Sequence, residues 1–302
     1  MNKLRLLELF GGIGACSKAL EKLGIDFEIV DYVEIDKYAV KSFNAIHNTN
    51  FEPQDITTWN KDIEVDLIMH GSPCQDFSLA GLQAGGDKDS GTRSSLMYET
   101  IRIVEKLKPK YVIWENVKNL LSKKHRHNFD SYLEIMESLG YKNYYQVLNA
   151  KDYGIPQNRE RVFTISIRND IDKEFVFPKK QELNINWYEY VGDCSIEYNK
   201  TNKTLSRDKM KEKCKNITKE QCCNTITLKQ DRWPNAGIID FEDYYRFLTP
   251  MEQWLLMGFD KEDYLKSKKV QKGILQLQKQ AGNSIVVNIL IAILKNLLRG
   301  EQ

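Results

Sequence analysis

The chain has 302 residues, 41% of them hydrophobic, with 44 basic residues against 42 acidic ones. It is long enough for one large α/β domain or two modest ones, and too apolar for a disordered chain. No apolar run has the length needed to span a bilayer, and the N-terminus lacks the regions of a signal peptide, so the expected address is the cytoplasm.

Strand and helix alternate through the first half. Residues 4–10 read as a buried strand, and 13–23 as a helix stopped by Gly24. Residues 29–35 and 37–46 repeat the pair, and 65–70 give a third strand. A polar, glycine-containing stretch at 79–93 precedes helical spacing over 94–107, where Ile101, Val104 and Leu107 share a side. Pro109 closes that helix, and 111–114 is a strand. Residues 129–139 form a helix ended by Gly140, and 144–148 and 161–167 are further strands. This alternation predicts a mainly parallel sheet covered on both faces.

Past Pro178 the composition shifts. Residues 179–243 are polar and rich in Lys, Asn and Thr, which predicts a second, smaller domain. Within it, residues 200–219 carry eight basic side chains against Asp208 and Glu212 alone, as either a solvated surface or a contact for phosphates. Thr249 and Pro250 open a short helix reaching 257. Residues 284–298 read as a strongly apolar helix, which needs a core and is expected to return to the first domain. The predicted division is 1–178, 179–262 and 263–302. Six irregularly spaced cysteines suit a reducing compartment, and with the four histidines they form no zinc pattern, so no metal is expected.

Chemistry concentrates where strands end. The first strand runs into Phe10-Gly11-Gly12-Ile13-Gly14, a turn that lets a ligand approach the backbone beside the positive end of a helix. Such a turn serves a nicotinamide or flavin nucleotide, a phosphate, S-adenosylmethionine, or no ligand at all. Glu34, at the end of the second strand, suits the two ribose hydroxyls of an adenosine-type ligand. The third strand leads to Gly71-Ser72-Pro73-Cys74-Gln75, where an ionised thiol could attack an electron-poor ring carbon. The next leads to Glu115-Asn116-Val117, whose carboxylic acid could protonate a ring nitrogen during that attack. Arg159 and Arg161, within residues 157–161, suit an anion or the carbonyl of a base.

Taken in order, these motifs together with Gly282-Asn283-Ser284 resemble the DNA cytosine C5-methyltransferase family. The likeness covers nearly the whole chain except the segment after Pro178. It implies an α/β, Rossmann-like methyltransferase fold, a target-recognition domain at 179–262, and S-adenosylmethionine as cofactor. Phe10 would stack on the adenine, Glu34 bind the ribose, and Asp55, with Ile56 beside it, meet the adenine amino group. Gly12, Gly14, Pro73, Leu96, Asn283 and Ser284 would complete the cofactor site. Cys74 would attack C6 of cytosine, Glu115 would protonate N3, and Arg161 would position O2 with Arg159 in support. Residues 79–93 would close as a lid over a flipped base. Met251, at a commonly basic position, and Asn288, where proline is common, depart from the family pattern.

The partner implied is duplex DNA with a specific cytosine-containing site, acted on by a monomer away from membranes. A cognate restriction endonuclease or phage self-protection would give the setting. Three alternatives stand beside this reading: an RNA cytosine methyltransferase on the same scaffold, a silent binding module, and a nicotinamide oxidoreductase. The oxidoreductase would leave Pro73-Cys74 and Glu115-Asn116-Val117 without a role.

Overall fold

The computed structural model describes residues 3–73, 96–183, 189–190, 201–202, 212–228, 235–240 and 244–300. Cys74, the stretch 79–93 and residues 200 and 203–211 of the basic run lie outside the described residues.

Strand β1 (Leu4–Leu9) leads to helix α1 (Ala15–Leu23), and β2 (Phe27–Val33) to α2 (Lys37–His47). Then come β3 (Leu67–His70), α3 (Met97–Leu107), β4 (Tyr111–Val117), α4 (Arg126–Ser138) and β5 (Tyr141–Asn149). A two-residue strand β6 (Gln157–Asn158) precedes β7 (Glu160–Arg168). The central sheet has the order β2-β1-β3-β4-β7-β5. β2, β1, β3 and β4 pair in parallel, while β7 runs antiparallel between β4 and β5. The mainly parallel α/β sheet expected from the sequence is therefore present, with one reversed strand.

Alternate residues of each strand face opposite layers. Leu6, Met69, Ile113 and Ile165 join one core cluster, and Leu7, Ile68, Val112 and Trp114 the other. The first cluster also takes Ala15, Ala19 and Leu20 of α1, and the second takes Ile101 and Val104 of α3 with Phe129 and Tyr132 of α4. Strands buried on both faces read as near-continuous apolar runs, as residues 111–114 of β4 do.

Short elements follow: β8 (Thr201–Asn202), α5 (Ile217–Glu220), β9 (Cys223–Asn224), β10 (Ile239–Asp240) and β11 (Tyr244–Arg246). β10, β11 and β8 form a small antiparallel sheet, and β9 pairs with β6. Ile217, Ile226 and Ile239 join the first core cluster, so this segment is welded to the larger sheet's layer.

The chain ends in α6 (Pro250–Leu255), α7 (Lys261–Val270), α8 (Ile274–Asn283) and α9 (Val287–Leu297). Thr249 caps α6 through a reciprocal capping box with Glu252, and Pro250 sits in the first turn, as its sequence anticipates. The apolar C-terminal helix begins at Val287 rather than 284, because Ser284 and Val286 are extended and break it from α8. Its residues Ile289, Leu290, Ile293 and Leu294 are buried in the first cluster, with those of α1.

Arg246 and Glu252 form a fully buried bidentate pair, with N–O distances of 2.9 and 2.8 Å and side-chain exposures of 0% and 2%. Removing the cation would leave Glu252 buried without its partner charge. Arg246→Ala is expected to lower stability in a urea titration by about 3–5 kcal/mol, and a loss below about 1 kcal/mol would contradict the role given to this pair.

Candidate active site

The parallel strands β1 to β4 deliver their carboxyl ends to one edge of the sheet, where open α/β folds place ligands. β1 ends at Phe10, which adopts a left-handed φ of 53°, an uncommon conformation for an aromatic residue. The turn after it is tied to β2. Tyr32 Oη donates to Gly12 O at 2.6 Å, and Gly11 N donates to Val33 O at 3.3 Å. Gly14 has φ 80° and lies so close to α2 that a Cβ would fall 2.2 Å from His47 Nε2. A Cβ on Gly12 would meet no atom within 4 Å. Gly14 thus fixes the turn from behind, while Gly12 borders open space.

That space is a cavity of about 540 Å³. Phe10, Gly12, Glu34, Asp55 and Ile56 line it from the ends of β1 and β2 and from the 55–58 turn. Pro73, Leu96, Asn283 and Ser284 also line it, and so do Glu115, Arg159 and Arg161. Twelve of the described residues expected at the site therefore share one cavity, and Gly14 alone does not line it.

Glu34 is held by backbone amides. Its Oε2 accepts from Gly12 N at 3.1 Å and its Oε1 from Asp36 N at 2.8 Å. Burial raises the pKa of its carboxyl, against the pull of those two amides. Each oxygen keeps lone-pair capacity for a further donor. The exposed Asp55 accepts from Thr57 N and Thr57 Oγ1 at 2.9 and 2.8 Å, both on Oδ1. Arg102 donates to Ile56 O and Trp59 O, which pins the same turn to α3.

Glu115 lies within β4 rather than beyond it, because β4 stays paired with β7 as far as Val117↔Arg161. Glu115 and Arg161 are diagonal neighbours on one face of that pair, within reach of long side chains. Arg161 Nε stands 3.1 Å from Glu115 Oε1. Burial pushes the Glu115 carboxyl up, while Arg161 and Arg159 pull it down. Arg159 is buried and donates to Ile226 O, Gly282 O and Ser284 O.

The loop after β3 is anchored to β4. Trp114 Nε1 donates to Ser72 Oγ at 3.0 Å, and Asn116 Nδ2 donates to Ser72 O at 3.4 Å. Gly71 lies against Glu115, since a Cβ there would be 3.7 Å from Glu115 Oε2. The chain is therefore fixed beside Glu115 two residues before Cys74, which itself lies outside the described residues.

The cavity also uses residues that sequence reasoning missed. Lys279 and Gln280 of α8 line it, and Lys279 Nζ pairs with Asp36 Oδ2 at 2.6 Å. Lys279 stands one helical turn before Asn283, so recognising helix α8 would have placed it on the same face. Glu8 was missed as well. It is buried on β1 and accepts from Ser17 N at 3.0 Å, fastening the first turn of α1 beneath the glycine turn.

The profile of the C-5 cytosine-specific DNA methylase family matches residues 4–299. The chain belongs to this family. It is a DNA (cytosine-5-)-methyltransferase by that membership, and its relatives agree. The type II methyltransferase M2.ScrFI of Lactococcus lactis subsp. cremoris is 34% identical, over 99% of this chain and 100% of its own length. The type II methyltransferase M.HhaI of Haemophilus parahaemolyticus is 33% identical, over 97% of this chain and 94% of its own. The crystal structure of S. pombe Dnmt2 superposes with a TM-score of 0.79 at 20% identity, covering 99% of this methyltransferase and all of that chain, which supports the fold.

Proposed function

We propose that this methyltransferase transfers the methyl group of S-adenosylmethionine to C5 of a cytosine in a specific duplex DNA sequence, using Cys74 as a covalent nucleophile. The observation that carries the reading is one cavity holding both the Glu34–Phe10 wall and the Glu115–Arg161 pair. The residues fit the cofactor. Glu34 keeps capacity on each oxygen for a ribose hydroxyl, Phe10 lines the cavity as an aromatic on which adenine can stack, and Gly12 leaves room for close approach. Asp55, with Ile56 beside it, meets the adenine amino group. Pro73, Leu96, Asn283 and Ser284 close the pocket. When bound, S-adenosylmethionine supplies the methyl group that C5 takes up.

The target carbon is unreachable inside a duplex, so the base is flipped out at a cost of about a few kcal/mol. The Cys74 thiolate adds to C6, and Glu115 gives its proton to N3 as the ring loses aromaticity. C5 thereby becomes enamine-like and nucleophilic. Arg161 holds O2 of the base, with Arg159 supporting the site from behind. Loss of the C5 proton, return of the N3 proton to Glu115 and expulsion of the thiolate restore the ring. Segment 179–262 chooses the DNA site, and 79–93 closes over the base.

We place the enzyme in the cytoplasm as a monomer. The described cysteines Cys16, Cys214, Cys222 and Cys223 are free thiols, which suits that compartment. Several phage relatives bear the name orphan methyltransferase, and bacterial relatives bear the name type II. The setting is accordingly modification beside a cognate endonuclease, or phage self-protection.

Bisulfite sequencing of DNA from cells expressing the enzyme is expected to reveal protected cytosines in one sequence context. Full conversion of every cytosine would contradict the reading. Glu34→Ala is expected to weaken S-adenosylmethionine binding by about 10- to 100-fold in calorimetry, the size of one or two hydrogen bonds to a charged group. Unchanged affinity in a folded variant would remove Glu34 from the site.

A further inference from the structure

Gln157 and Arg159 are buried at 0% and 3% exposure, and both grip the same distant residue. Gln157 Oε1 accepts from Ile226 N at 3.0 Å, while Arg159 Nη1 donates to Ile226 O at 3.0 Å. Ile226 is thus held at both of its backbone groups by side chains from the sheet domain. Beside it, β6 pairs with β9, and Thr225 Oγ1 donates to Asn158 O at 2.9 Å.

The second terminal nitrogen of Arg159 works in another direction. Nη2 donates to Gly282 O at 3.2 Å and to Ser284 O at 2.8 Å. These carbonyls flank Asn283 in the wall of the cavity. Gly282 also abuts the residue after Ile226, since a Cβ on it would fall 2.6 Å from the Thr227 carbonyl carbon. One guanidinium therefore bolts the 223–228 stretch to the 282–284 wall of the cavity.

We propose that Arg159 is a positioning residue that couples the seating of the 223–228 stretch on DNA to the shape of the cofactor wall at 282–284. This rests on the reading above, in which that stretch belongs to the DNA-choosing segment and the cavity takes S-adenosylmethionine. A guanidinium is a rigid planar fork, and close-packed surroundings do not absorb a displacement locally. Moving Ile226 therefore moves the fork, the wall, or both. By linkage the effect is reciprocal, so each ligand changes the affinity for the other by one common factor. Lysine in place of Arg159 keeps the charge but concentrates its donors on one atom, which cannot span Ile226 O and the two wall carbonyls in one plane.

The test measures that factor. The wild-type enzyme is titrated with its target duplex, with and without saturating S-adenosylhomocysteine, and then with the nucleoside, with and without duplex. In the wild type each ligand is expected to tighten the other about 5–150-fold, and by the same amount in both directions. Arg159→Lys is expected to bring the factor close to one. General loosening of the fold would instead weaken both ligands and preserve the ratio. Gly282→Ala removes no donor but forces the Thr227 backbone away, so it is expected to reduce the factor too. It decides the matter should Arg159→Lys fail to fold. A wild-type factor of one overturns the coupling, and so does a wild-type-sized factor in either folded variant. A wild-type enzyme that binds neither ligand would overturn the proposed function and the coupling with it.

Discussion

Glu115→Gln is expected to slow methylation by about 10²–10⁴-fold, the usual worth of a positioned proton donor, while DNA and cofactor binding remain measurable. Glutamine keeps hydrogen-bonding capacity but has no acidic proton. The carboxyl is buried, and burial favours its neutral form, while Arg161 at 3.1 Å and Arg159 favour the anion. The net displacement is upward, which favours the protonated form. A general acid acts only when protonated, so the turnover that depends on Glu115 is expected to decline as pH rises through its raised pKa. Glu115→Gln should lose that alkaline limb along with its rate. A variant with wild-type turnover, or one whose pH profile retains the limb, would remove Glu115 from the proton transfer.

The site is legible in the sequence where function is local to a strand end. Glu34 and the glycine turn sit within a few residues of apolar strands, so strand periodicity alone carries them to one edge of the sheet. The role of Arg159 is not local. Its hydrogen-bond partners Ile226, Gly282 and Ser284 lie 67, 123 and 125 residues away, beyond the reach of any spacing rule. The reversed direction of β7 is hidden for a different reason. An apolar strand pattern carries no direction, and only the short β5–β7 connection, lacking room for a crossover helix, hints at it. Helices α7 and α8 escape the pattern because Lys261–Val270 is dominated by Lys and acidic residues, and Ile274–Asn283 interleaves its few apolar residues with Gln and Lys. The capping pair of α7, Asp260 with Asp263, becomes clear only in the folded chain.

Cys74→Ala is expected to abolish methylation outright, because the variant has no thiolate to add across C6. DNA binding should survive, since phosphate and base contacts do not use the thiol. The neighbourhood supports this assignment through what is fixed around it. Ser72 is tied to Trp114 and Asn116, and Gly71 lies against Glu115, so the chain is fixed beside Glu115 just before Cys74 in sequence. A free thiol has a pKa of about 8.5 and is only partly ionised at neutral pH, and the proposed attack uses the thiolate form.

The most direct measurement uses a duplex carrying 5-fluorocytosine at the target position. Fluorine at C5 cannot depart as a proton does, so once C5 is methylated the bond between C6 and the Cys74 sulfur cannot be released. A protein–DNA band that resists denaturation is expected with the wild-type enzyme when S-adenosylmethionine is present. It should be absent without the cofactor and absent with Cys74→Ala. If Cys74→Ala still gives that band, or still methylates ordinary DNA, Cys74 is not the nucleophile.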